Sequence, residues 1–393
     1  MSAPPSGAGW RAQRLDPLGA LLCAAGGLAI VFLPFVVFKA NRIVPGDGRG
    51  LFEVLPAWQA FACQAILLLA AFAALCVANA RARLALALLG VLAVALAAAA
   101  AANALTPVGN KVVRVAPGAA FWVLLICLGL MATDAITRMR PGPGRRVLFL
   151  ALAIAAAGLA LAHGTFDNLS VMREYAVNSE RFAREARAHL WLAFGSLAAA
   201  FIVALPIGIL CHRVPRLRAG VLGTLNVIQT VPAIALFGIL MAPLGALAAA
   251  VPLAAALGIR GIGTAPAAVA LFLYSLLPIA ANTVAGLHRV PRSAVEAARG
   301  MGMTSWQVLT SVELMLALPV IVTGTRIVLV QNIGMVTVAA LIGGGGLGTF
   351  VFQGIGQTAI DLVLLGAIPI VVLAFSAALV LDALVEIMDR AHQ

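Results

Sequence analysis

The side chains able to do covalent chemistry are few in this sequence, and they are not spaced for it. His163, His189, His212 and His288 stand singly at the ends of apolar runs, and His392 is in the tail. There is no His-Glu-x-x-His run and no Cys/His cluster of metal-ligand spacing. Cys23, Cys63, Cys76, Cys127 and Cys211 lie within or beside apolar runs and read as small packing residues, not as a disulfide framework. A phosphate-cradling loop needs Gly-x-x-x-x-Gly-Lys-Ser/Thr. The two lysines, Lys39 and Lys111, neither follow a glycine nor precede Ser or Thr. No nucleophile–base pair and no metal site follow from these residues. No cofactor is expected on the chain itself.

What remains is polar chemistry of recognition and movement. The segment from Ser293 to Pro319, S-A-V-E-A-A-R-G-M-G-M-T-S-W-Q-V-L-T-S-V-E-L-M-L-A-L-P, is the most polar long stretch of the second half. Ser293 stands three residues before Glu296 and Thr304 three before Gln307, two capping boxes that predict two successive helix starts. Gly300 and Gly302 between them permit the positive φ that ends one helix and redirects the chain. The expected local structure is helix, tight turn, helix, then an apolar run entered through Pro319. Such a connector either docks a partner or is an ordinary capped loop. Deeper in the apolar runs lie Asn226, Gln229, Tyr274, Asn282, Gln331 and Asn332, each of which either lines a pathway or bonds between helices. Arg326 stands about 10 Å past Pro319 at helical rise and either pairs with Asp382 or snorkels. Gly343 to Gly346 with Gly348 form either a flexible turn at an outer gate or a plain loop.

The elements that must hold these residues are membrane spans. The chain has 393 residues, 63% hydrophobic and 10% charged, with mean hydropathy +1.07; soluble domains carry about 25% charge. The fold class expected is an all-α polytopic membrane protein of about ten helices. Spans are expected near 18–38, 59–79, 85–105, 118–137 and 147–163, then 189–211, 221–245, 264–286, 317–344 and 360–387. Arg11 and Arg14 precede the first apolar run as in a signal peptide, but the run is too long and lacks a cleavage site, so it reads as a retained span. The net charge of +12 is mostly arginine gathered at span ends, a topology signal and not a nucleic-acid surface. Arg11, Arg14, Arg81, Arg83, Arg138, Arg140, Arg145, Arg146, Arg213, Arg216, Arg218, Arg289, Arg292 and Arg299 fall on one side, read as the cytoplasm, with both termini. Lys39, Arg42, Arg49, Lys111, Arg114 and Arg260 are sparser on the other.

Three segments are expected: a membrane extension of about five spans over 1–164, an external amphipathic helix over 165–188, and a five-span core over 189–393 with the connector at 290–319. The external helix is suggested by Glu180–Arg184 and Arg181–Glu185 at i,i+4 spacing. The first five spans are Ala- and Leu-rich. The second five hold Pro206, Pro232, Pro243, Pro252, Pro278 and Pro369, and broken helices mark moving parts.

The connector resembles the EAA loop of binding-protein-dependent ABC importer permeases, through Glu296-Ala297-Ala298, Gly302, Val312 and Leu314. Met315 stands where that motif usually has proline, while Pro319 is present. I-Q-T-V-P-A-I-A-L-F-G (228–238), A-L-F-L-Y-S-L-L-P-I (270–279) and V-A-A-L-I-G-G-G-G-L-G (338–348) are similar to the osmoprotectant branch, whose members import glycine betaine, choline, carnitine or proline-type solutes. The resemblance covers residues 185–390.

The resemblance implies a permease without its own ATPase site, coupled through Glu296, Ala297, Ala298, Gly300, Gly302, Val312 and Leu314 to a separate ABC ATPase that holds ATP. It also implies an extracytoplasmic solute-binding protein, a second permease subunit, identical or related, and a place in the bacterial inner membrane. A quaternary ammonium solute would favour aromatic faces such as that of Tyr274. The rival expectations are a permease for another small solute, such as an amino acid, and an autonomous secondary transporter. The second is disfavoured by the lack of paired intramembrane carboxylates.

Overall fold

The computed structural model describes residues 16–41, 44–107, 109–110 and 112–391. Arg11, Arg14, Arg42, Lys111 and His392 lie outside the described residues. The chain divides into two units. One contains residues up to 141 together with 156–173, the other 142–155 together with residues from 174 onward.

In the first unit α1 (Pro17–Phe32), α3 (Ala57–Cys76), α4 (Ala80–Leu105) and α5 (Ala119–Met139) pack through small residues such as Ala60, Ala73, Ala87, Ala98 and Ala120. A short helix, α2 (Leu51–Val54), precedes α3. The first span does not continue to residue 38. Pro34 holds Leu33 in extended backbone (φ −112°, ψ 146°), which ends the helix at Phe32. The β-branched and aromatic run that follows forms β1 (Val36–Lys39), which pairs antiparallel with β2 (Asp47–Arg49) and β3 (Arg114–Pro117). The sheet order is β2-β1-β3, with Val36 opposite both Arg49 and Pro117. The expected helical membrane fold is present, with a small sheet added at the end of the unit where α1 and α4 finish.

The opposite end of this unit is tied by charge. Arg83, only 2% exposed, donates to Asp16 at 2.7 Å and lies 3.2 Å from Asp134. Arg138 bridges the same two carboxylates at 2.5 and 2.8 Å. A buried arginine with two carboxylates fixes the start of α1, the start of α4 and the end of α5 to one another.

Two further helices are α6 (Pro143–Ala162) and α7 (Ser170–Arg213). The segment expected as an external helix over 165–188 falls in the first part of α7, before the stretch that forms the sixth span. It is irregular only at Asn178 (φ −112°, ψ 16°). No proline or glycine lies within residues 170–194, and the kink at Asn178 joins two helical stretches there.

The second unit continues with α8 (Pro215–Thr230), α9 (Ala233–Ala250), α10 (Pro252–Ala256) and α11 (Thr264–His288). Then come α12 (Arg292–Gly300), α13 (Ser305–Val308), a π-turn (Leu309–Glu313) and α14 (Leu314–Ala339). A 3₁₀ turn (Ala340–Ile342), α15 (Gly348–Gly356) and α16 (Ile360–Ala391) complete it. The expected span over 221–245 is two helices broken at Val231–Pro232. Among the described residues nine helices are long and apolar enough to cross a membrane, and α1 is a shorter apolar helix beside them. The core of this unit gathers α7, α11 and α14 around Leu271, Ile279, Val328 and Ile333. Asn282 sits directly on Gly324, where a Cβ would come within 2.6 Å, so α11 and α14 approach at a glycine.

Candidate functional site

The connector between α11 and α14 is an elbow with one glycine at its corner. Its first helix starts earlier than the expected cap. Pro291, with φ fixed near its helical-entry value (φ −61°, ψ 131°), occupies the N-cap position, and its carbonyl takes the Ala294 amide at 3.1 Å. Ser293 therefore sits inside the first turn, and the Ser293–Glu296 box does not form. The second box does. The Gln307 amide donates to the Thr304 hydroxyl at 3.3 Å, and the Thr304 amide donates to Gln307 Oε1 at 2.8 Å.

Between them α12 closes in a Schellman turn. The Gly302 N–H reaches the Arg299 carbonyl at 2.9 Å and the Met303 N–H reaches Ala298 at 3.2 Å. Gly302 has φ +85°, and a Cβ added there would meet nothing within 4 Å. The demand for glycine is thus a backbone demand and not a shortage of room. Gly300 is inside α12 without positive φ.

Exposure sorts the elbow residues. Glu296, Ala297, Gly300 and Gly302 face outward, whereas Ala298 is buried. Val312 and Leu314 are half-buried, and Leu314 packs on Leu287, Leu309, Ala317 and Ile321, the small core that fastens the elbow to α11 and α14. Two residues outside the expected set stand out. Met301 is 76% and Trp306 71% exposed, one on each side of Gly302. Their signal was present, as large apolar side chains in an otherwise polar turn. Behind the elbow, buried Glu313 of the π-turn is ion-paired with Arg213 at the end of α7, a contact no local pattern announces.

The intramembrane polar residues do not converge on one point. Tyr274, 4% exposed, donates its hydroxyl to the Val231 carbonyl at the break between α8 and α9, and Gln229 Nε2 donates to the Tyr274 carbonyl at 2.8 Å. The broken helix is thus repaired by α11. Asn226 lies on the exposed side of α8. Asn282 Nδ2 donates to the Pro278 carbonyl at 2.8 Å, and Gln331 Nε2 contacts Met335 Sδ at 3.5 Å. Asn332 is fully buried. Its amide donates to Ser196 at 3.2 Å and to Ser275 at 3.0 Å, joining α7, α11 and α14. In this conformation Asn332 and Tyr274 are held in helix–helix contacts, not on an open face. Arg326 of α14 and Asp382 of α16 form an ion pair.

At the other end of the unit, α7 holds the glycine-rich turn. Glu185 accepts from the Gly346 amide at 2.9 Å. His189 Nδ1 accepts from the Leu347 amide at 3.3 Å, which leaves its Nε2 proton for the Ile333 carbonyl at 3.1 Å. Arg181 donates to Gln353 at 2.8 Å and lies over the Phe350 ring. Arg181 and Glu185 thus engage the α14–α16 connection instead of each other. Gly343, Gly345 and Gly346 all have positive φ, so the turn has one defined path.

Comparison with known proteins gives the arrangement a family. Residues 204–392 match the family described as binding-protein-dependent transport system inner membrane component. Residues 16–172 match the family described as ABC transporter permease YehY, N-terminal domain. The osmoprotectant import permease protein OsmW of Salmonella typhimurium is 44% identical over 186 residues, 47% of this chain and 81% of that protein. The carnitine transport permease protein OpuCB of Listeria monocytogenes is 39% identical over 47% of this chain and 78% of its own length. The glycine betaine/carnitine/choline transport system permease protein OpuCB of Bacillus subtilis is 35% identical over 51% of this chain and 84% of its own length. A solved chain of the MetNI methionine ABC transporter, in an inward-facing conformation, aligns with TM-score 0.47 and 24% identity over 53% of this chain and 95% of that one. With its many apolar helices, this is a multi-pass inner-membrane protein, and it belongs to the binding-protein-dependent transport system inner membrane components, the permease subunits of ABC importers.

Proposed function

We propose that the chain is the permease of an importer for osmoprotectants such as glycine betaine or choline, moved by a separate ATPase that docks on the elbow formed by α12 and α13. The observation that carries the docking role is the elbow itself. A glycine-locked corner presents Glu296, Ala297, Met301 and Trp306 outward and is clamped from behind by Glu313 and Leu314. A helix-in-groove contact needs small residues for approach and large apolar ones as anchors, and Ala297 with Trp306 and Met301 supply both. Val312 and Leu314 transmit the push into α14. ATP is bound by the partner, because the sequence carries no P-loop.

The substrate class is supported by relatives of 35–44% identity that are named for osmoprotectant, carnitine and glycine betaine/carnitine/choline transport. In this reading the elbow and both termini are cytoplasmic, a binding protein delivers solute from the other side, and a second permease subunit completes the pathway. Residues 1–164 form an added membrane module, 165–188 its external link, and 189–393 the transport core. Asn226, on the open side of α8, and the Gln229–Tyr274 break are the parts of the pathway that move as the ATPase closes.

The test is reconstitution with the neighbouring ATPase and binding protein in liposomes. Betaine uptake that requires ATP and is lost on replacing Met301 and Trp306 by aspartate, with the assembled permease still in the membrane, is the expected result. Uptake by the pure chain alone under an ion gradient would replace this reading with a secondary transporter. Uptake of an amino acid in place of betaine would keep the importer and change the solute.

A further inference from the structure

In the unit that contains residues up to 141, α1, α3 and α5 line a half-open cavity of about 120 Å³. Its wall is apolar, and small residues open it: Cys23, Gly26 and Gly27 on α1, and Cys127 on α5. Gly27 and Leu68 are exposed, so the cavity opens sideways, toward where lipid lies. Gln64 of α3 lines it, and the Gln64 Oε1 is buried with no hydrogen-bond partner. The Cys23 thiol is already spent on the Ala71 carbonyl at 3.3 Å.

A buried amide oxygen left unpaired is costly, and native structures rarely keep one without a reason. Water is a poor answer, because a buried water wants two to four polar partners and this wall offers one amide and the weak thiol of Cys127. Hydrocarbon alone leaves the amide unpaired. A hydroxyl donates and accepts, so it satisfies whichever end of the Gln64 amide faces it. An apolar cavity of about 150 Å³ accepts benzene, so this one takes a body of roughly that size.

We propose that this cavity is a binding site for a lipid-soluble alcohol or phenol. The hydroxyl pairs with the Gln64 amide, and the hydrocarbon body lies against Gly26, Gly27 and Cys127. The site lies outside the transport match at 204–392 and does not depend on how the elbow works. The hydroxyl can come from a free alcohol dissolved in the bilayer or from the end of a hydroxyl-bearing lipid.

The experiment uses the full chain in phosphatidylcholine nanodiscs, photolabelled with 3-azioctanol and mapped by mass spectrometry. Saturable labelling of the α1, α3 and α5 wall is expected, with 1-octanol displacing the probe about tenfold better than octane. In Gly27→Leu, where a Cβ meets nothing within 4 Å, the added side chain fills the cavity and the labelling disappears. In Gln64→Leu, or Gln64→Met should the leucine variant not fold, octanol falls to the level of octane while octane is unaffected. Native-membrane nanodiscs distinguish the sources: a co-purifying hydroxyl lipid that blocks the probe points to lipid, and unblocked labelling to a free alcohol. Labelling that does not saturate, that survives Gly27→Leu, or that keeps its preference for octanol without Gln64 overturns the proposal.

Discussion

Arg213 at the end of α7 holds Glu313 in the π-turn behind the elbow, two residues one hundred positions apart in the chain. Glu313 is buried and Arg213 is half-exposed, so the carboxylate depends on this one cation for much of its compensation. Arg213→Met should destabilise the permease by roughly 2 kcal/mol, below the 3–5 kcal/mol of a fully buried pair. The Arg213→Met/Glu313→Met double variant should recover most of that loss. A double-mutant cycle on detergent unfolding checks this, and additive losses would remove the coupling.

The two glycines of the elbow should behave differently. Gly302→Ala forces a side chain into the left-handed region and should cost about 1–2 kcal/mol locally, splaying the Schellman turn and reducing ATP-dependent uptake. Gly300→Ala lies in ordinary helix, meets no neighbour, and should leave uptake near the parent level. Uptake assays on both variants at matched membrane levels decide it.

The caps make a paired prediction. Thr304→Ala removes a formed box and should cost about 1 kcal/mol. Ser293→Ala removes none and should fall within about 0.5 kcal/mol of the parent. Thermal unfolding of the two variants side by side is the measurement.

Tyr274→Phe deletes the side-chain donor to the Val231 carbonyl. The break at Pro232 then keeps a half-buried acceptor without this partner, at a cost of about 1 kcal/mol. The expected result is a lower unfolding midpoint with wild-type insertion. Should betaine affinity also fall while Tyr274→Trp restores it, the ring itself meets the solute.

In the first unit the Arg83 guanidinium holds the Asp16 carboxyl down from 3.8 to about 2, with the Gly19 amide and Arg138 adding to the effect and burial opposing it. A depressed carboxyl contributes stability that is complete above its unfolded value and is lost as pH falls through its folded one. Stability should therefore drop between about pH 4 and pH 2. Asp16→Asn should be less stable at neutral pH and should flatten that part of the profile, as followed by unfolding midpoints across the acid range.

Sequence by itself determined whatever depends on short stretches of chain. Apolar runs long enough to cross a bilayer established the membrane class and, to within a few residues, most spans. A glycine at 302 set the corner, and the Thr304–Gln307 spacing set the second helix start, because both act through backbone geometry within one turn. Tertiary structure alone decided the rest. Pro34 turned the end of an expected span into a strand that needed β2 and β3, from distant positions, to pair with. Pro291 took the cap expected of Ser293. Asn332 became the buried partner of Ser196 and Ser275, and Glu313 that of Arg213, although nothing beside them in the chain names those partners. Pattern along a chain reports which backbone and which solvent a residue prefers; the partner of a buried polar group is chosen by the packing of helices far apart in sequence.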